Sequence, residues 1–170
     1  MKPVARFLSV AALSALASVA VCTSSPSEAE AAPGDIEVEK ADPKAVQLLN
    51  DFFAALAVAD ENASAKACLA VVHKSLMNAA KDDLTSDLRR FSFKKAHDNA
   101  KFYAQPVKIT RIRPKNISGI GAKSNGTAEL GAVHDYFVAK KEGTAGLPAP
   151  VQVFFPQGGG DPKIAYMGSL

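Results

Sequence analysis

His134, Asp135 and Tyr136 stand side by side: an imidazole, a carboxylate and a phenol in three consecutive residues. Two more phenols, Tyr103 and Tyr166, lie elsewhere in the 170-residue chain. A carboxylate that moves a proton while a phenol steadies the developing oxyanion is the chemistry of isomerases and dehydratases. On that reading Asp135 or His134 is the candidate base, and Tyr103 or Tyr166 the candidate donor. Geometry limits the pairing. Along a strand, successive side chains alternate between faces. Ala132, His134, Tyr136 and Val138 therefore share one face, and Gly131, Val133, Asp135 and Phe137 the other. His134 and Asp135 cannot both serve one cavity on a regular strand.

Other chemistry-bearing residues give weaker patterns. His73, His97 and His134 match no compact metal-ligand spacing, and no cofactor motif accompanies them, so neither metal nor cofactor is expected. With Tyr103 and Tyr136 these histidines are the candidate lining of a ligand pocket. No G-x-S-x-G elbow exists for a serine nucleophile. Gly158-Gly159-Gly160 lacks the Lys-Ser/Thr and the following helix of a phosphate loop, so a hairpin turn is expected. Cys68 sits in an apolar helical stretch and reads as a small buried residue.

Charge is more distinctive. Between Arg89 and Lys115 run Arg89, Arg90, Lys94, Lys95, Lys101, Lys108, Arg111, Arg113 and Lys115, with Asp98 as the one acid. Gathered on one face, these cations would meet anionic head groups or an acidic partner. The competing reading is a solvated helix face followed by a strand edge guarded by Lys and Arg. Nucleic acid is not expected, because aromatics do not interleave basic strands.

The elements that must position these residues follow from periodicity. Val46, Leu49, Phe53 and Leu56 recur at helical spacing. Asp60 offers a cap to a second helix whose stripe is Ala65, Cys68, Leu69, Val72, Leu76 and Ala79. Ser86 caps a third helical region reaching Tyr103, broken near Ser92, with Phe93, Ala96, His97, Ala100 and Ala104 as its apolar stripe. After Pro106 the period changes. Residues 107–113, 128–140, 151–155 and 164–167 read as strands separated by Gly, Asn and Pro turns. Connections this short force antiparallel pairing. The expected class is α+β: N-terminal helices packed on a curved, mainly antiparallel sheet of about four strands, cone-like with a pocket at the open end.

This element order, with Val71-Val72-His73-Lys74-Ser75-Leu76 as a His-x-Ser segment ending the second helix, resembles the nuclear-transport-factor-2-like superfamily over about residues 44–170. The resemblance implies a cone-shaped domain. It also implies that the chain stands beside ketosteroid-isomerase-like enzymes and many non-catalytic binding domains.

The N-terminus reads as an export signal. Lys2 and Arg6 precede an uncharged run from Phe7 to Val21, shorter than the roughly 20 residues of a membrane span. Val19-Ala20-Val21-Cys22 resembles a bacterial lipobox, making Cys22 the candidate lipidation site, although Val21 stands where a small residue is usual. Ordinary cleavage at Ala20 or near Ala31 is the alternative. Residues 23–43, rich in Ser, Ala, Pro and Glu, read as a flexible acidic tether. Residues 44–170 then form one domain, with 17 Lys and Arg against 11 Asp and Glu, a net charge of +6.

Three functions follow as expectations. The first is an exported, non-catalytic binding module in the periplasm or cell envelope, taking a small apolar ligand, a peptide or a protein partner. The second is an isomerase- or dehydratase-like enzyme. The third is an envelope assembly factor docking through a basic face. A homodimer through the sheet fits the first and third.

Overall fold

A computed structural model describes residues 34–121 and 128–170. The signal, Cys22 and the first part of the tether lie outside the described residues.

The chain folds as α+β, helices first and an antiparallel sheet after. Helix α1 spans Pro43–Leu56. Asp42 starts it: its carboxylate accepts from the backbone N–H of Lys44 and Ala45, and Pro43 occupies the first helical position. Helix α2 spans Glu61–Cys68, capped by Asp60, which accepts from the Ala63 N–H at 2.7 Å. The third helical region is composite. α3 (Ser86–Leu88) passes into a wider π-helical stretch (Arg89–Phe93), then α4 (Lys94–Asn99) and a 3-10 turn (Ala100–Phe102). No helix among the described residues is long and apolar enough to cross a membrane.

Five strands follow: β1 (Ile109–Lys115), the short β2 (Gly119–Ile120), β3 (Glu129–Val138), β4 (Ala149–Pro156) and β5 (Lys163–Tyr166). The order is β1-β3-β4-β5, with β2 also pairing β3, and every strand pair is antiparallel. Register shifts at Ile109/Arg111 and Gln152/Val153 mark irregularities of the kind that bend strands.

One face of the sheet carries the helices. Ile112, Tyr136, Val138, Val151, Val153 and Ile164 share the core with Leu49, Phe52, Phe53 and Leu56 of α1 and Phe93 of the third region. Phe52 and Phe53 meet edge-to-face at 5.6 Å, and Phe53 stacks tilted on Tyr103 at 5.2 Å. These rings are 2% exposed or less. The concave side of the sheet is filled with aromatic and aliphatic side chains.

The structure corrects three expectations about elements. The second helix ends at Cys68 instead of running on to Ala79. Val71–His73 is extended and hydrogen-bonds alongside β5, with the His73 N–H donating to the Ile164 carbonyl at 2.8 Å. The third region is capped at Thr85, one residue before Ser86. The tether ends sooner than residue 43. Ile36 pairs with Ile112 at the edge of β1, its N–H donating at 2.9 Å, and the Asp35 side chain is buried beside Arg111. Residues from Asp35 onward therefore belong to the packed domain.

Gly131 is required by this packing. A Cβ there would collide with the Phe155 carbonyl oxygen and the Phe154 ring, whereas one at Gly158 meets open space. Gly131→Ala is expected to destabilise the fold by about 1–3 kcal/mol, and Gly158→Ala to leave it within about 0.5 kcal/mol. Urea titrations of the two variants check this.

Candidate functional site

Asp135 and Tyr103 do not converge, and Tyr166, two strands from Asp135 in register through Gln152, makes no hydrogen bond to it among the described residues. Asp135 is on the outer sheet face, its side chain 3% exposed. Its Oδ2 accepts from Arg113 Nη2 at 2.9 Å, and Lys115 Nζ lies 3.9 Å from Oδ1, which has no hydrogen-bond partner. Tyr103 is on the other side, packed in the core against Phe53. Burial alone raises its pKa. Tyr136 is also in the core; burial pushes its phenol up to about 12, with the Asp42 carboxylate adding and a backbone hydrogen bond at Asp42 opposing. Tyr166 stands at the sheet edge, 44% exposed. His134 lies on the helix-side face beside Phe155, ring centroids 4.9 Å apart, and burial lowers its pKa.

The remaining histidines are each engaged by their own partners. His97 Nε2 bonds the Val58 carbonyl at 2.9 Å, and its ring stacks on Phe93. His73 is 4% exposed and makes the most suggestive cluster. Its Nδ1 lies 2.8 Å from Ser75 Oγ and accepts from the Ser75 N–H at 3.1 Å. That backbone donor fixes the tautomer, so Nε2–H donates to Glu129 Oε2 at 3.2 Å. Serine, imidazole and carboxylate in line have the spacing of a nucleophile relay. Two facts assign it to structure instead. The single Nδ1 lone pair is shared with the Ser75 backbone as the cap of a 3-10 turn (Lys74–Leu76), and Lys74 Nζ takes the same carboxylate oxygen at 2.6 Å. The cluster ties the segment beside β5 to the start of β3. Lys74 and His73, outweighing the opposing effect of burial, lower the Glu129 pKa. Among the described residues, no three His, Cys, Asp or Glu side chains gather as metal ligands.

The basic run divides in two. Ile112 faces the helical core, so its neighbours Arg111 and Arg113 point the opposite way. There they bracket Phe137, at 3.9 and 5.3 Å from the ring centroid, and pair with Asp35 and Asp135. Lys108 is exposed just before β1. Arg89, Arg90, Lys94, Lys95 and Lys101 belong to the helical region. The run is thus split between a helix surface and the outer face of β1, which matches the competing reading of a helix face followed by a strand edge.

On the helical surface Arg89 contacts Asn62 and Asp83, and Lys94 contacts Asp98 and Glu61. Arg90, Lys95 and Lys101 have no acidic partner among the described residues. Between them project Phe91, 62% exposed, and Phe102, 40% exposed. Arg90 and Lys101 each sit over one of these rings, at 5.3 and 5.2 Å. Two shallow concavities of about 560 and 640 Å3 open on this surface, the first bordered by Arg90, Phe91, Lys95 and Gly168, the second by Asn78, Asp83 and Arg89. Sequence reasoning missed the two rings. Their signal was legible, since both fall out of phase with the stripe Phe93, Ala96 and Ala100.

Comparison with family models, curated proteins and solved structures gives no match.

Two outcomes check the local chemistry. Cys68 is fully buried, and burial pushes its thiol up to about 12. Native protein should therefore resist alkylation by iodoacetamide, with labelling tracking urea unfolding. Glu129 has a lowered pKa, so its contribution is present above its ordinary value of 4.5 and is lost as pH falls through the lower folded value. Glu129→Gln should melt below the wild type at neutral pH, and the gap should close in strong acid.

Proposed function

We propose that the protein is an exported, non-catalytic binding module of the cell envelope, and that it engages an anionic partner through the outward face of residues 86–102. The observation that carries this is the set of cations without an acidic partner among the described residues, Arg90, Lys95 and Lys101, around the exposed rings of Phe91 and Phe102. A second observation supports it. The helix-side face of the sheet is filled by Phe52, Phe53, Tyr103 and Tyr136, which turns the binding role from an interior pocket to the surface. On this proposal the chain would stand with the non-catalytic members of the nuclear-transport-factor-2-like superfamily that its element order resembles, and a helical layer followed by an antiparallel sheet is compatible with that. The proton-transfer reading has less support, because Asp135 is held by Arg113, Tyr103 lies on the opposite side of the sheet, and no hydrogen bond joins Asp135 to Tyr166 among the described residues.

The test uses the exported chain with Cys22→Ser, so that no acyl group retains it, mixed with envelope fractions of its host. The chain should co-sediment at low salt and be released at about 1 M salt, where charges are screened within about 3 Å. The variant R90E/K95E/K101E should stay in the supernatant. Equal sedimentation of both proteins at both salt levels would reject the proposal.

A further inference from the structure

We infer that the anionic partner is the surface of a lipid bilayer. This rests on the reading above that the outward face of residues 86–102 is the binding surface, and it goes further by naming what lies against it.

Phe93, Ala96 and Ala100 are buried and define the inward direction of the composite helix. Phe91 and Phe102 are exposed, and so are Lys94, Lys95, Asp98 and Lys101. Three turns separate the two rings, roughly 16 Å at about 1.5 Å per residue. The face therefore presents a ring with its cation at each end and cations between. Two acids lie on this stretch, the exposed Asp87 in its first turn and Asp98, which Lys94 Nζ holds at 3.3 Å.

A bilayer surface answers both parts of this pattern. Head-group phosphates take the cations, and the boundary of the acyl chains, a few ångströms deeper, takes the rings. Lys and Arg reach back to the phosphates along their apolar stems, and aromatic rings favour that depth. The shallow concavity beside Phe91, about 560 Å3, is bordered by Arg90, Lys94 and Lys95 and also by Asp98, which Lys94 engages, and it has room for a head-group phosphate. An acidic peptide fits less well. The rings project from a ridge, so a peptide would cover one side of each and leave the other wet.

The chain contains no tryptophan, so Phe91→Trp supplies a single reporter at the proposed contact. The exported chain with Cys22→Ser and Phe91→Trp is titrated with vesicles of phosphatidylcholine alone, and with vesicles that also contain phosphatidylglycerol. The expected result is a blue shift, with quenching by brominated acyl chains, on the anionic vesicles only. Adding Phe102→Ala should weaken binding about tenfold. Each charge reversal among Arg90, Lys95 and Lys101 should weaken it at least about fivefold, while Lys95→Arg with Lys101→Arg should keep it. Circular dichroism checks that each variant is folded. Unchanged fluorescence on anionic vesicles, with salt-sensitive retention on host envelopes intact, would overturn the lipid inference alone and point to an acidic protein or polysaccharide. Loss of both would overturn this inference and the function beneath it.

Discussion

The packing of Phe52, Phe53 and Tyr103 into the concave face of the sheet is the constraint on which the rest of the molecule depends. Helix α1 has 14 residues, too few to be firmly helical alone in water. Burial of its aromatic and leucine face holds it in place, each large side chain contributing roughly 1.5–3 kcal/mol. The same burial sets the position of Tyr136, whose ring lies in the core and whose phenol meets the start of α1 at Asp42. Sheet and helix thus fix each other through one layer of rings.

Filling the concave face decides where chemistry can occur. Groups that would line an open cone are used for packing. Burial raises the pKa of Tyr103 and Tyr136 and takes Cys68 out of reach of water. Asp135, the strongest carboxylate candidate, faces outward and is engaged by Arg113. The His73 cluster spends its hydrogen bonds on a turn and a cross-strand tie. The outward ridge of residues 86–102 differs. Two exposed rings lie there together with positive charges that have no acidic partner among the described residues.

Much of the architecture was legible because it rests on local signals. The change from helical to alternating periodicity after Pro106 gave the class, and the parity of residues 131–138 separated His134 from Asp135. What was hidden depends on distant partners. The stripe through Cys68, Val72 and Leu76 looked like one helix, since residues buried for different reasons happened to fall at helical spacing. Only Ile164, far along the chain, draws Val71–His73 into an extended path. The widened turn at Arg89–Phe93 likewise has no local marker. Ser75 and His73 were visible as a segment, but Glu129 could not be joined to them without the fold. Asp35 and Ile36 sit in a stretch whose composition reads as tether, and only their contacts with Arg111 and Ile112 attach it to the domain.

The proposal of an outer binding surface rests on a closed interior, so interior space is the quantity to measure. Xenon enters dry apolar cavities and perturbs the methyl groups that line them. Under xenon pressure, the methyl NMR signals of Leu49, Leu56, Val138, Val151 and Val153 should shift no more than those of exposed methyl groups. Saturable shifts confined to these residues would show an open cavity between helices and sheet, and would contradict the filled core described here.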